Sequence, residues 1–258
     1  MSLQDFSLDF FSLQDKVAIV TGGNTGLGQG YAVALAKAGA DVFIVTHNNN
    51  WDETRALVEE TGRKVHFHQA DLTERESLKK IVDDCLSVFG KIDILVNNAG
   101  TIRRAPLLEY TAEDWDAVME INLNAVYLLS QEVAKVMVEQ KSGKIINIAS
   151  MLSFQGGKFV PPYTASKHAV AGITKAFANE LGQYNVQINA IAPGYIETAN
   201  TAPIRADKQR NAEILSRIPA GRWADPSDLM GVVVFLSSRA SDYMNGSIIA
   251  IDGGWLAR

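Results

Sequence analysis

The sequence predicts one doubly wound α/β domain, a Rossmann-type parallel sheet of about seven strands with helices on both faces. Three observations carry this. Short β-branched runs alternate with helical segments along the whole chain. The central runs, such as Ile94-Leu95-Val96 and Ile145-Ile146, are apolar throughout. No linker, low-complexity segment or long repeat interrupts the alternation. Strand–helix–strand units with right-handed crossovers produce parallel strands. Strands covered on both faces lose the in–out alternation of a half-exposed sheet.

In order, strands are expected at Val17–Thr21, Val42–Thr46, Val65–Gln69, Ile94–Asn97, Lys144–Ile148, Gln187–Ile191 and Ser247–Ile251. Helices are expected at Gly28–Ala38, Trp51–Thr61, Glu74–Phe89, Ala112–Gln140 (long or kinked), Thr164–Tyr184 and Pro226–Leu236. Residues 1–14 repeat a short phrase, Phe6-Ser7-Leu8 and Phe11-Ser12-Leu13, and read as an N-terminal arm. Residues 15–258 read as one dinucleotide-binding and catalytic domain.

Of the 258 residues, 47% are apolar and 21% charged, which is ordinary for a globular protein with a full core. The net charge of -5 argues against nucleic acid and against an anionic membrane as partners, because phosphate binding needs a basic face. Cys85 is the single cysteine, has no partner for an internal disulfide, and reads as a reduced core thiol. The acidic start lacks the basic region of a secretory signal, and no apolar stretch is long enough to span a bilayer, so the expected compartment is the cytoplasm.

Between the first strand and first helix stands Thr21-Gly22-Gly23-Asn24-Thr25-Gly26-Leu27-Gly28. Glycines here permit a tight turn and close backbone approach to a pyrophosphate, which would sit at the helix N-terminus against free N–H groups. The second strand ends at Thr46-His47, where neither the acid typical of NAD sites nor an arginine for a 2′-phosphate is present. NAD is therefore the expected cofactor, with His47 keeping NADP open. Asp71-Leu72, after the third strand, reads either as an adenine contact or as a helix N-cap. His66-x-His68 places both rings on one strand face with no acid or cysteine at ligand spacing, and reads as structural, with no metal site.

The glycine loop, Asn97-Asn98-Ala99-Gly100, Asn122, Ser150, Tyr163-x-x-x-Lys167 and Pro193-Gly194 together resemble the short-chain dehydrogenase/reductase family over residues 15–258. The resemblance implies a nicotinamide-dependent oxidoreductase with Asn122, Ser150, Tyr163 and Lys167 as catalytic residues. It implies that Lys167 also holds the nicotinamide ribose and that Ile196 and Thr198 meet the nicotinamide amide and phosphates. It further implies a substrate lid at about 195–217 and a homotetramer. The tyrosine–lysine spacing makes chemical sense. Lowering a phenol from about 10 by about three units takes roughly 4 kcal/mol, and a cation about 4 Å away provides that order of energy.

Within the family, Ile102-Arg103-Arg104, Ile148–Gly157, Arg205–Arg210 and the ending Asp252-Gly253-Gly254-Trp255 are similar to bacterial sugar-acid dehydrogenases. A sugar acid needs a cation for its carboxylate and neutral groups for its hydroxyls. Arg103 and Arg205, with Gln155 and Asn200 beside Ser150 and Tyr163, are the expected substrate contacts; other tryptophans and phenylalanines read as core. Rivals are a gluconate 5-dehydrogenase or a 3-oxoacyl-carrier-protein reductase on the same scaffold, and a non-catalytic dinucleotide sensor. The carrier-protein enzyme would need a basic patch, and the sensor would be expected to lose Tyr163 or Lys167.

Overall fold

The computed structural model describes residues 6–258. Seven parallel strands, β1 (Val17–Thr21), β2 (Asp41–Thr46), β3 (Val65–Gln69), β4 (Ile94–Asn97), β5 (Gly143–Ile148), β6 (Val186–Pro193) and β7 (Ile248–Ile251), lie in the order β3-β2-β1-β4-β5-β6-β7. Strand direction never changes, and the register is continuous, with Val20 opposite Ile44 on one side and Val96 on the other. The order reverses between β1 and β4, so a crevice opens beyond their carboxyl ends, where open α/β sheets bind ligands.

Helices α1 (Gly26–Lys37), α2 (Asp52–Glu59), α3 (Arg75–Phe89), α4 (Ala112–Met119), α5 (Ala125–Gln140), α6 (Pro161–Leu181), α7 (Ala202–Ala206), α8 (Lys208–Arg217) and α9 (Met230–Ser237) complete the chain. Alternate strand residues feed two cores. Ala18, Val20, Ile44, Val96 and Ile146 pack with α1 and α9, while Ile19, Phe43, Leu95 and Ile145 pack with α3 and α5. Each fully buried aliphatic side chain contributes about 1.5–3 kcal/mol. The two-sided burial explains the unbroken apolar strands.

Most boundaries fall within two residues of expectation, and three differences have physical causes. The segment expected as one long helix is divided by a π-helical turn at Glu120–Asn124. Helix α6 begins earlier, at Pro161-Pro162, because proline costs nothing in a first turn whose N–H groups lack intrahelical partners. The last helix starts as a 3₁₀ turn, Pro226–Leu229, before α9. In the arm, residues 1–5 lie outside the described residues. Beyond them Leu13 is buried, Arg239 stacks 4.7 Å from the Phe10 ring, and Phe11 lies 6.3 Å from Phe235.

Cys85 is buried in the core under α3, and burial pushes its thiol up to about 12. His66 and His68 stack on Phe43 at 5.2 and 5.8 Å. His68 Nδ1 also meets Asp84 at 3.0 Å, an acidic companion from α3 that the strand spacing did not reveal. No grouping of three or more metal-ligating side chains occurs among the described residues. No described helix is long and apolar enough to cross a membrane.

Candidate active site

A cavity of about 1220 Å³ opens at the carboxyl edge of the sheet. At one end the glycine loop turns with Gly22 and Gly26 in left-handed conformation, φ 62° and 54°. A Cβ on Gly28 would collide with the Gly22 carbonyl oxygen, so only glycine fits. Asn98 ties this turn to β4: its Nδ2 donates to the carbonyls of Thr21 (2.9 Å) and Gly22 (3.2 Å). The Thr21 hydroxyl in turn accepts from the N–H groups of Asn98 and Ala99, both at 3.0 Å. Thr25 makes no side-chain cap bond, so the first-turn N–H groups of α1 remain available beside the cavity. This cradle fits the diphosphate of a dinucleotide.

The end of β2 departs from expectation in one respect. Thr46 lines the cavity, but its hydroxyl gives its proton to the Asn48 carbonyl at 2.7 Å. Asn24 closes the same loop, donating to Asn48 Oδ1 (3.2 Å) and the Asn50 carbonyl (2.9 Å). His47 is exposed and lines the cavity. Asp71 is not the α3 cap, a position held by Glu74. Its Oδ1 accepts from the Thr73 N–H (2.9 Å) and hydroxyl (2.7 Å), which hold its carboxyl below the usual range. Asp71 and Leu72 both line the cavity, as do Gly100, Pro193, Gly194 and Ile196. Thr198 Cγ2 lies 3.6 Å from where a Gly26 Cβ would stand, so the segment after β6 rests on the glycine turn.

At the other end Ser150, Tyr163 and Lys167 line the same wall. Ser150 follows β5 and caps a 3₁₀ turn, its hydroxyl accepting from Leu152 N–H at 3.1 Å. Lys167 Nζ donates to the Ile148 carbonyl at 2.5 Å and stands 5.5 Å from the Tyr163 ring centre. The Ser153 hydroxyl clamps this turn to α6 by donating to the Lys167 carbonyl at 2.7 Å.

The expected lowering of the phenol by Lys167 is not what the protein alone delivers. Burial raises the Tyr163 phenol, opposed by the Ser150 hydroxyl and the Arg104 charge. Lys167 is itself buried, which pushes its ammonium down to about 8. Burial makes a charge costly for both members of the pair.

Asn122 is fully buried behind the wall, in the π-turn. Its Oδ1 accepts from Thr101 N–H (2.8 Å) and its Nδ2 donates to the Thr101 carbonyl (2.9 Å) and the Ser166 hydroxyl (3.3 Å). Its side chain therefore joins the segment after β4 to α6 rather than facing the cavity.

The two arginines expected to meet substrate are placed elsewhere. Arg103 points to Asp114 (3.5 Å) and the Thr101 hydroxyl (3.1 Å), and Arg205 pairs with Glu197 at 2.9 Å. Arg104, next to Arg103, and Arg210, on the helix after that of Arg205, line the cavity instead, together with Gln155 and Asn200. Adjacent residues leaving a strand or helix point in different directions, and sequence position alone did not separate them. Tyr195, Arg217 and Trp255 also line the cavity and were not anticipated. The paired glycines ahead of Trp255 were the available signal.

A family model described as enoyl-(acyl carrier protein) reductase matches residues 22–256. The chain is a short-chain dehydrogenase/reductase. This dehydrogenase/reductase is 55% identical to the 2-dehydro-3-deoxy-D-gluconate 5-dehydrogenase of Escherichia coli, over 97% of the chain and 99% of the relative. It is 51% identical to an uncharacterised oxidoreductase of the same organism, over 100% and 98%. A crystal structure from Agrobacterium tumefaciens, described as a putative 2-deoxy-D-gluconate 3-dehydrogenase with bound NADP, matches with a TM-score of 0.91. The two are 50% identical over 96% of this chain and 99% of that one.

Proposed function

We propose that this dehydrogenase/reductase interconverts a secondary alcohol and ketone of a sugar acid, acting as a 2-dehydro-3-deoxy-D-gluconate 5-dehydrogenase (2-deoxy-D-gluconate 3-dehydrogenase). The carrying observation is a single cavity in which Ser150, Tyr163 and Lys167 share a wall with three arginines, Arg104, Arg210 and Arg217. The similarity to the E. coli enzyme of that name supports the substrate.

The glycine cradle, Asn24, Asp71, Asn98, Ala99 and Thr198 would hold the dinucleotide, and the bound nicotinamide supplies the hydride acceptor or donor. In the oxidative direction Tyr163 takes the hydroxyl proton, and in the reductive direction it returns that proton to the carbonyl oxygen. Ser150 holds the same oxygen through its hydroxyl as charge develops there. Lys167 stabilises the phenolate at the moment of transfer, and Asn122 fixes the position of α6 under both. Nothing in the cavity wall near the ends of β2 and β3 is a lysine or arginine, which supports NAD. His47 and the NADP found in the A. tumefaciens structure make NADP the necessary second arm of any assay.

The same reading takes 15–258 as one catalytic domain with a lid at about 195–217, working in the cytoplasm as a homotetramer. Family membership, the reduced thiol of Cys85 and the net charge of -5 support it. The deciding assay offers 2-dehydro-3-deoxy-D-gluconate with NAD or NADP and follows reduced nicotinamide. Turnover that Tyr163→Phe lowers by about 10²-fold or more supports the reading. Turnover confined to other polyols or to acyl thioesters would refute it.

A further inference from the structure

Tyr195 is flanked by two tryptophans, Trp223 at 5.1 Å and Trp255 at 4.8 Å, both edge-on. Their indole N–H groups differ. That of Trp223 donates to Asn211 Oδ1 at 2.7 Å, whereas that of Trp255 is buried without an acceptor among the described residues. Buried donors without partners are rare, because leaving one unmatched forfeits its hydration for nothing in return.

The position of Trp255 is built with some elaboration. Gly253 and Gly254 are both left-handed, φ 64° and 89°, and a Cβ on either would stand 2.9 Å from Ile218 or Pro219. Asp252 then fixes the turn, its two carboxylate oxygens accepting from the N–H groups of Gly254 and Leu256, each at 2.9 Å. The result seats Trp255 in an apolar cluster with Met151, the residue following Ser150. Arg217, on α8, covers the indole with its guanidinium 3.9 Å from the ring centre. Arg210 is paired with Glu213 at 2.9 Å, but Arg217 makes no ion pair among the described residues.

The structure assigns Trp255 and Arg217 as the subsite that recognises the substrate carboxylate, several bonds away from the carbon that Ser150 and Tyr163 address. The indole N–H donates to one carboxylate oxygen, and the guanidinium, already oriented by stacking, donates to the other. The stacked geometry lowers the ordering cost of an otherwise flexible arginine. The subsite exists only when α8 lies over the C-terminal turn, so acid recognition and lid position become one event. This rests on the sugar-acid reading above and specifies which residues make the substrate an acid.

The test compares Trp255→Phe, which keeps the ring under Arg217, and Arg217→Gln with the unmodified protein. Substrates are 2-dehydro-3-deoxy-D-gluconate and D-gluconate, with neutral D-glucitol as control. Each substitution is expected to raise KM for the acids about tenfold with kcat little changed, as loss of one charge-assisted bond requires. Turnover of D-glucitol, dinucleotide affinity and the unfolding midpoint stay the same. Unchanged KM for the acids, or KM rising equally for acids and D-glucitol, overturns the subsite while leaving the sugar-acid reading intact. If the unmodified protein turns over neither acid, that reading has failed. Calorimetric titration of the dinucleotide-loaded protein with D-gluconate then decides the subsite: binding weakened about tenfold or more in both variants supports it, and unweakened binding in the variants, or no binding to the unmodified protein, overturns it.

Discussion

Lys167 donates to the carbonyl of Ile148, the last residue of β5, at 2.5 Å. The ammonium is thus fastened to the sheet while burial pushes its pKa down to about 8. Between about pH 8 and 10 the unfolded chain holds a proton at this lysine that the folded protein has released. The contribution of Lys167 to stability therefore rises with pH across that window, opposed above about pH 9 by the buried Cys85 thiol, which keeps a proton the unfolded chain loses. Each pH unit between the folded and unfolded values is worth about 1.4 kcal/mol, so the whole rise is at most about 3 kcal/mol. Above pH 10 the sign reverses, because Tyr31 and Tyr163 have phenols raised by burial, and the folded state then retains protons the unfolded chain loses. Denaturant unfolding at a series of pH values should show the rising limb in the unmodified protein and a flatter one in Lys167→Met. Identical slopes would contradict it.

Arg104 is the cation that lowers the Tyr163 phenol in the protein alone, while Arg103 is engaged by Asp114. Removing the Arg104 charge raises that phenol, so in the oxidative direction the limb of the kcat/KM profile that rises as the phenol ionises moves to higher pH. Arg104→Gln should displace it upward measurably, and Arg103→Gln should leave it in place. A displacement in the opposite direction, or one from Arg103→Gln alone, would show that the wrong arginine faces the phenol.

Gly28→Ala drives a methyl group into the Gly22 carbonyl and places it 2.5 Å from Asn98 Nδ2. The turn must open and surrender the Asn98 bonds. Overpacking of this kind costs about 1–3 kcal/mol, and dinucleotide affinity should fall beyond detection by fluorescence titration. Retained affinity would mean that the cradle is not where the phosphates sit.

Behind the site, Asn97 Nδ2 donates to Asn147 Oδ1 and Ser130 Oγ, each at 2.8 Å, and Asn147 Nδ2 donates to Thr174 Oγ1 at 2.9 Å. These buried bonds join β4, β5, α5 and α6. Asn147→Leu leaves both Asn97 and Thr174 with one bond fewer, and should cost about 2 kcal/mol or more in denaturant unfolding. A loss below half that would show that the network is not under load.

The sheet was legible because strands buried on both faces write themselves as unbroken Val, Ile and Leu runs, as at β4 and β5. The dinucleotide cradle was legible because its glycines are dictated by backbone space alone, which the sequence states directly. The substrate end was not. Arg103 against Arg104 is a matter of which way a loop residue points, and Arg205 is captured by Glu197, an acid eight positions away whose reach no periodicity describes. Trp255 stands in a run that marks the sugar-acid resemblance, but what gives it a role is an indole N–H without an acceptor among the described residues, a property of packing rather than of spelling. Asn122 was anticipated by resemblance, but its grip on Thr101 depends on a backbone ladder that slips by one residue, for which the sequence offers no marker.

The slipped ladder also constrains how this chain can change. The π-turn Glu120–Asn124 is the local equivalent of an inserted residue, carried between two stretches of ordinary helix. Deleting a single residue there would let α4 and α5 anneal into one continuous rod with better hydrogen bonds, while the side chains of the turn itself, Asn122 among them, would change direction. The protein would gain regularity and lose the Thr101 clamp in the same stroke. Helical perfection is thus a direction in which this fold can be improved as an object and ruined as a catalyst.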